Sequence, residues 1–341
     1  MLSKKNLAKI KLMEVCGTHT MAIARSGIKK LLPKEIELIS GPGCPVCVTS
    51  QQDIDKAIKI AQEENVIIAT FGDMMRVPGT QGSLQEAKAN GADVRVVYSP
   101  LDSLKIAKSN PNKKVVFIGV GFETTFPTIA ATILEAKKRE IKNFYVLSYF
   151  KVIFPALEVI ASSKKIKVNG FICPGHVSVI TGTEPYEKIA RKYKIACVIT
   201  GFDEPDLARG IDLLVKQVIN KDPKVEIEYK KVVRKQGNPM ARKIAREVFR
   251  ITDSTWRGIG VIPKTGLKLK RKYQDFDAER IFKVKVPRLY INKECICGEV
   301  LQGIKSPKNC KLFRKACKPE KPIGPCMVSS EGTCAAYYKY E

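Results

Sequence analysis

The sequence predicts an α/β protein, with two similar parallel-sheet α/β domains followed by a cysteine-rich C-terminal domain. Three observations carry this prediction. Short apolar runs alternate with amphipathic stretches from Glu35 to Asn220, two parts of that region resemble one another, and the cysteines crowd together after Cys295. Alternation of this kind is the pattern of βαβ units, whose strands lie parallel and are covered by helices.

Taken in order, the β-branched and apolar runs predict strands at 36–40, 66–70, 94–97, 115–119, 144–148, 168–173 and 196–200. Helical periodicity predicts helices at 53–63, 83–90, 127–139, 155–162, 185–193 and 204–220. Beyond Asn220 the texture changes: 225–233 reads as a strand, 240–249 as a helix, and 256–270 as an irregular stretch rich in Gly, Pro and Lys. The expected units are a segment 1–34, a first α/β domain 35–120, a second 121–222 and a cysteine-rich domain 223–341. The internal resemblance pairs Pro42-Gly43-Cys44 with Pro174-Gly175-His176, and Asp73 with Asp203. Ligands of parallel sheets bind beyond the strand carboxyl ends, so Cys44 and His176 are expected to face one cleft.

The 341 residues are 44% hydrophobic, enough for substantial cores. A formal charge of +26 invites a nucleic-acid reading. Nearly half of the Lys and Arg follow Lys221, however, scattered among turns and apolar residues and without a zinc-finger or RNP-type pattern. The expectation is a solvated basic surface that attracts acidic proteins, with no nucleic-acid partner. Residues 1–12 lack the apolar core of a signal peptide, and no run approaches the length of a membrane span. A cytoplasmic, reducing location with no membrane insertion follows, where grouped cysteines mean metal or catalysis more often than structural disulfides.

The chain has eleven cysteines. Six lie in the tail, at Cys295, Cys297, Cys310, Cys317, Cys326 and Cys334, in a segment too poor in core residues to order itself without a staple. No histidine follows His176, so any metal there is held by thiolates alone, and the paired CxxC knuckles of a zinc ribbon are missing. Scattered single cysteines beside prolines fit a 4Fe-4S cluster better than zinc. Spacing does not choose four ligands from six.

Cys16 stands in Glu14-Val-Cys-Gly-Thr-His-Thr with His19, one of only two histidines. On a helix the two side chains share a face, where thiolate and imidazole bind iron or zinc, or the imidazole activates the thiol. Cys44-Pro-Val-Cys47 is a dithiol in which one thiolate attacks and the other resolves. Glu123, in Gly119-Val-Gly-Phe-Glu-Thr-Thr, follows a strand and is either a helix-opening carboxylate or a proton-transfer group. Cys173 and Cys197 read as buried structural thiols.

Together CGTHT, GPGCPVC, GFETT, PGHVSVITG and GPCMVSSEGTCAAY resemble the hydrogenase maturation factor HypD family, from residue 16 to residue 337. The resemblance implies two similar α/β domains plus a C-terminal iron-sulfur cluster domain. It also implies a scaffold on which the Fe(CN)2(CO) unit of nickel-iron hydrogenase is assembled, with a HypC-like chaperone sharing the iron and a HypE-like protein donating cyanide. The family's cluster spacing falls on Cys295, Cys310, Cys317 and Cys334, leaving Cys297 and Cys326 as non-ligands.

On this reading Cys16 anchors a transient iron carrying CN and CO, since a soft thiolate suits such a centre. His19 is a neighbouring donor, and His176 faces the iron from the other domain. Electrons pass from the 4Fe-4S cluster to the Cys44/Cys47 pair. The rival enzyme reading is an iron-sulfur-dependent protein disulfide reductase, which uses the same tail and CxxC but no iron at Cys16. A zinc-stapled RNA-binding module is the rival among binding proteins.

Overall fold

The computed structural model describes residues 9–286 and 292–341. The first sheet has five parallel strands in the order β2-β1-β7-β8-β9, comprising β1 (Ile10–Glu14), β2 (Ile36–Ser40), β7 (Gly170–Pro174), β8 (Ala196–Thr200) and β9 (Val225–Ile227). The second has four parallel strands in the order β4-β3-β5-β6, namely β3 (Val66–Thr70), β4 (Asp93–Val96), β5 (Lys114–Gly119) and β6 (Phe144–Ser148). An antiparallel hairpin, β10 (Phe249–Trp256) and β11 (Gly260–Leu269), stands apart from both.

Strands β3, β7 and β8 are buried along their whole length, as continuous apolar runs such as Val66-Ile-Ile-Ala-Thr70 require when helices cover both faces. The helices are α1 (Gly17–Ser26), α2 (Pro45–Val48), α3 (Gln51–Ala61), α4 (Leu84–Ala89), α5 (Pro100–Ser109), α6 (Phe126–Lys138), α7 (Ile153–Ala161), α8 (Gly175–Thr181), α9 (Glu184–Tyr193), α10 (Glu204–Ile219), α11 (Pro239–Val248), α12 (Ala278–Ile281), α13 (Cys297–Leu301) and α14 (Thr333–Tyr340). Helix α3 starts where the Ser50 hydroxyl accepts from the Asp53 amide, and α5 starts on a Ser99/Asp102 capping box. No helix among the described residues is long and apolar enough to cross a membrane.

The strand pairing cuts across the expected units. The segment expected only to carry a motif supplies β1, the strand between β2 and β7. Strands β2 and β3 enter different sheets, whereas β7 and β8 are neighbours, so the two resembling stretches do not build equivalent pairs. Helix α5 was not expected. The strand expected over 225–233 ends at Ile227, and the stretch expected to be irregular holds β11. Lys264, with φ 60°, and the glycines around the hairpin disguise β11, because they interrupt its alternation where the ladder itself shifts register, between Ile262 and Gly266.

Trp256 joins the hairpin to the rest. It is fully buried, its indole N–H donates to Thr265 Oγ1 at 2.8 Å, and it stacks on Phe122 with ring centroids 6.0 Å apart. An antiparallel bridge to Thr49 and a bond from the Arg257 amide to Val48 O (2.9 Å) fix the same strand end to α2. Trp256→Ala is expected to lower the unfolding free energy by about 3–5 kcal/mol, read from urea denaturation. A loss under about 1 kcal/mol would mean that the hairpin is not docked this way.

Candidate functional site

The carboxyl ends of the first sheet's strands gather the sequence-predicted residues. Cys16 follows β1 and caps α1, Cys44 follows β2, His176 follows β7, and Phe202 follows β8. Cys44 and His176 thus share one sheet edge, and His176 does not come from a second domain. Gly43 makes the approach possible: a Cβ there would collide with the Cys16 backbone, and its carbonyl accepts from the Gly17 amide at 2.9 Å.

His19 is fully buried, with Nε2 2.9 Å from both Gly201 O and Thr200 Oγ1. A carbonyl only accepts, so Nε2 carries the proton and Nδ1 keeps a lone pair, which has no partner among the described residues. Burial pulls its pKa down to about 4, helped by His176, so the ring is neutral at physiological pH. Phe202 lies between the two histidines, 4.7 Å from the His19 centroid and 4.1 Å from that of the exposed His176. Burial also lowers the His176 pKa, opposed by Glu331.

Cys16 is half-buried, yet crowding by protein atoms pushes its thiol up to about 11, with the Glu331 charge adding to desolvation and the His19 and Thr18 amides opposing it. Glu331 reaches this edge from the tail and accepts a 2.6 Å bond from Thr18 Oγ1. The sequence reading missed it; its one signal is a lone carboxylate among the small residues of Ser329-Ser-Glu-Gly-Thr-Cys334. Phe202 was missed as well.

Cys44 caps the single turn of α2 and accepts the Cys47 amide at 3.2 Å. Both thiols are buried, and Cys47 Sγ lies 3.8 Å from Pro325 O of the tail. Burial drives the Cys47 pKa well up, opposed by a hydrogen bond with Cys326. Cys326 in turn contacts Cys297 and Cys334, and Cys295 contacts Cys297. A line of thiols therefore runs from the CxxC turn into the tail.

Cys295, Cys297, Cys310, Cys317 and Cys334 line one narrow cavity with Gly324, where a Cβ would strike the Cys297 sulfur and lie 2.7 Å from that of Cys295. The four expected ligands are thus together, and Cys297 joins them. Among the described residues no three His, Cys, Asp or Glu side chains converge as a ready ion site. The chemistry of the donor set fits a soft-metal cluster nonetheless: five cysteines line the cavity, and the side chains between them, Ile296, Val300, Leu312, Phe313 and Met327, offer no oxygen or nitrogen ligand. Arg257, which the sequence reading also missed, is a buried cation in electrostatic contact with Cys295, Cys297 and Cys326, and its Nη1 donates to Pro78 O at 2.9 Å. Cys173 and Cys197 are fully buried neighbours on β7 and β8.

Glu123 lies elsewhere. It follows β5 of the second sheet and accepts the Ile153 amide, at the start of α7, at 3.0 Å; its Oε2 has no hydrogen-bond partner among the described residues. It lines a cavity of about 250 Å³ with Phe126, Phe154 and Phe249, and that cavity contains no thiol. Desolvation raises its pKa to about 7.

A model of the HypD family, described as the hydrogenase formation hypA family, matches residues 2–341. Hydrogenase maturation factor HypD of Escherichia coli is 47% identical over 97% of this chain and 89% of its own length. HypD2 of Bradyrhizobium diazoefficiens and HypD of Cupriavidus necator are each 45% identical over 96% of this chain, covering 88% and 89% of their own lengths.

Because the folded pKa of Glu123 exceeds the unfolded one, the native state binds the extra proton between pH 4.5 and about 7, and stability falls as pH rises through that window. Glu123→Gln is expected to remove up to about 3 kcal/mol of this loss, so that the variant gains on the wild type from pH 5 to pH 8 in denaturant titrations. Parallel curves would show a carboxylate already ionised at pH 5. With these motifs in place and a match along nearly its whole length, the chain belongs to the HypD family of hydrogenase maturation factors.

Proposed function

We propose that the chain is the scaffold on which the Fe(CN)2(CO) unit of nickel-iron hydrogenase is assembled, with a HypC-like chaperone and a HypE-like cyanide donor as partners. The observation that carries this reading is the meeting, at one sheet edge, of the half-open Cys16 thiol with the buried CxxC pair, whose Cys47 touches the tail thiols. The iron is cargo. Cys16 anchors it, and a thiolate of the chaperone completes the grip from the open side. His19 is held neutral with Nδ1 unprotonated, ready to accept a hydrogen bond or to ligate. His176 and Glu331 border the approach.

Cys295, Cys310, Cys317 and Cys334 would hold a 4Fe-4S cluster, which supplies one-electron reducing equivalents when bound. Cys44 and Cys47 do the complementary work: as a dithiol they hold two electrons, released when they close to a disulfide. Burial shields that exchange from solvent. So many free thiols require a reducing compartment, and we place the protein in the cytoplasm. A disulfide reductase needs the same pair, but has no use for a half-open Cys16 thiol on the same sheet edge as two histidines.

Cys16→Ser is expected to abolish the infrared bands of CN and CO on the anaerobically purified complex with the HypC-like chaperone. Bands of wild-type intensity would refute the anchor. Cys44→Ala is expected to retain the visible absorbance of the tail cluster while hydrogenase maturation falls to background. Normal hydrogenase activity would remove the dithiol from the scheme.

A further inference from the structure

Away from the thiols, a cavity of about 280 Å³ opens between the carboxyl end of β6, the start of α3 and the β10–β11 hairpin. Lys151, only 1% exposed, reaches into it and places Nζ 2.6 Å from Ser254 Oγ and 3.7 Å from Asp53 Oδ2. A lysine so buried is uncommon. The Tyr149 hydroxyl, on a residue 2% exposed that lines the same cavity, has no hydrogen-bond partner among the described residues.

The backbone around the pair is built for it. The ladder between β10 and β11 shifts register between Thr252 and Ser254, an irregularity of the kind that re-aims a side chain. Gly266, opposite, leaves room: a Cβ there would lie 2.9 Å from Ser254 Cβ, and Gly266 also forms the isolated bridge that positions Lys151. Lys56 and Lys268 are both bound to Glu279, which leaves Lys151 as the amine nearest the serine.

We propose that Ser254 and Lys151 form a serine-lysine dyad that attacks small acyl esters, with Asp53 orienting the amine and the Tyr149 hydroxyl donating to the oxyanion. Nucleophile and base within hydrogen-bond reach, the base held by a third group, is the arrangement that activates a serine. Desolvation, opposed by Asp53 and aided by Lys268, lowers the Lys151 pKa, which favours the free base the step needs. Ser254 Oγ bonds to the carbonyl carbon while its proton passes to Lys151 Nζ. The ester C–O bond then breaks and the leaving alcohol takes that proton. Water next attacks the acyl-serine, giving a proton to Lys151 and releasing the acid as Ser254 is restored. The sum is ester plus water to acid plus alcohol, with no oxidant or reductant.

The test is labelling of the full-length protein with diisopropyl fluorophosphate, with the adduct located by mass spectrometry and hydrolysis of p-nitrophenyl acetate followed in parallel. Modification is expected on Ser254, with none at that site in Ser254→Ala and a rate at least 100-fold lower in Lys151→Met. Lys151→Arg keeps a cation and a hydrogen bond to Ser254 but is no base, so it guards against a misfolded methionine variant and is expected to label as slowly. Failure of the folded wild type to label at Ser254, or equal labelling of wild type and Lys151→Arg, would overturn the dyad and leave Lys151 as a buried structural tie.

Discussion

Docking of the cysteine-rich tail across both sheets is the constraint on which the rest of the structure depends. Its attachments are spread over the chain: Thr18 to Glu331, Lys29 to Tyr337 and Glu341, Cys47 to Pro325, Asp73 to Ser329, and Arg76 to the carbonyls of Pro319 and Val328. None of these alone is worth more than a few kcal/mol. Together they bring a segment with little core of its own against the strand ends that carry Cys16 and Cys44, and so set which thiols touch.

That docking divides the thiols into two environments. Cys47 and Cys326 are sealed from water; desolvation disfavours the charged form of Cys47, and the neighbouring Cys297 thiol, with desolvation added, that of Cys326, so both stay neutral unless a partner or an electron exchange compensates. Cys16 alone among the first-half thiols keeps an open side, where a bulky metal fragment and a second protein can reach it. The His19 imidazole, three residues further on, is fixed by two contacts at one nitrogen, and the other has no partner among the described residues. On the proposed function, the division suits a scaffold that must shield its electrons while exposing its cargo.

Much of this was legible in the residues. The seven expected strands of the two sheets all form, four of them with identical limits, and two of those four, β3 and β8, are fully buried parallel strands that write themselves as unbroken apolar runs. Strand β1 was not legible: Ile10-Lys-Leu-Met-Glu14 carries charge at both a middle and an end position, and its Glu14 is buried at the end of the strand against the Gly41 amide. Which strand pairs with which is a long-range matter that periodicity does not encode, so the exchange of β2 and β3 between sheets was invisible. The cysteine groupings and His19 were readable as chemistry. Glu331, Arg257 and Phe202 were not, since each acts only through a neighbour that the fold brings from far along the chain.

The most direct test of the tail docking is thiol cross-linking with dibromobimane in a Cys44→Ala background, where Cys47 has lost its neighbour in sequence. Contact between Cys47 and Cys326 predicts a fluorescent adduct whose digest joins the peptides bearing these two residues, 279 positions apart in the chain. A digest in which Cys326 is bridged only to other tail cysteines, with Cys47 singly alkylated, would contradict it.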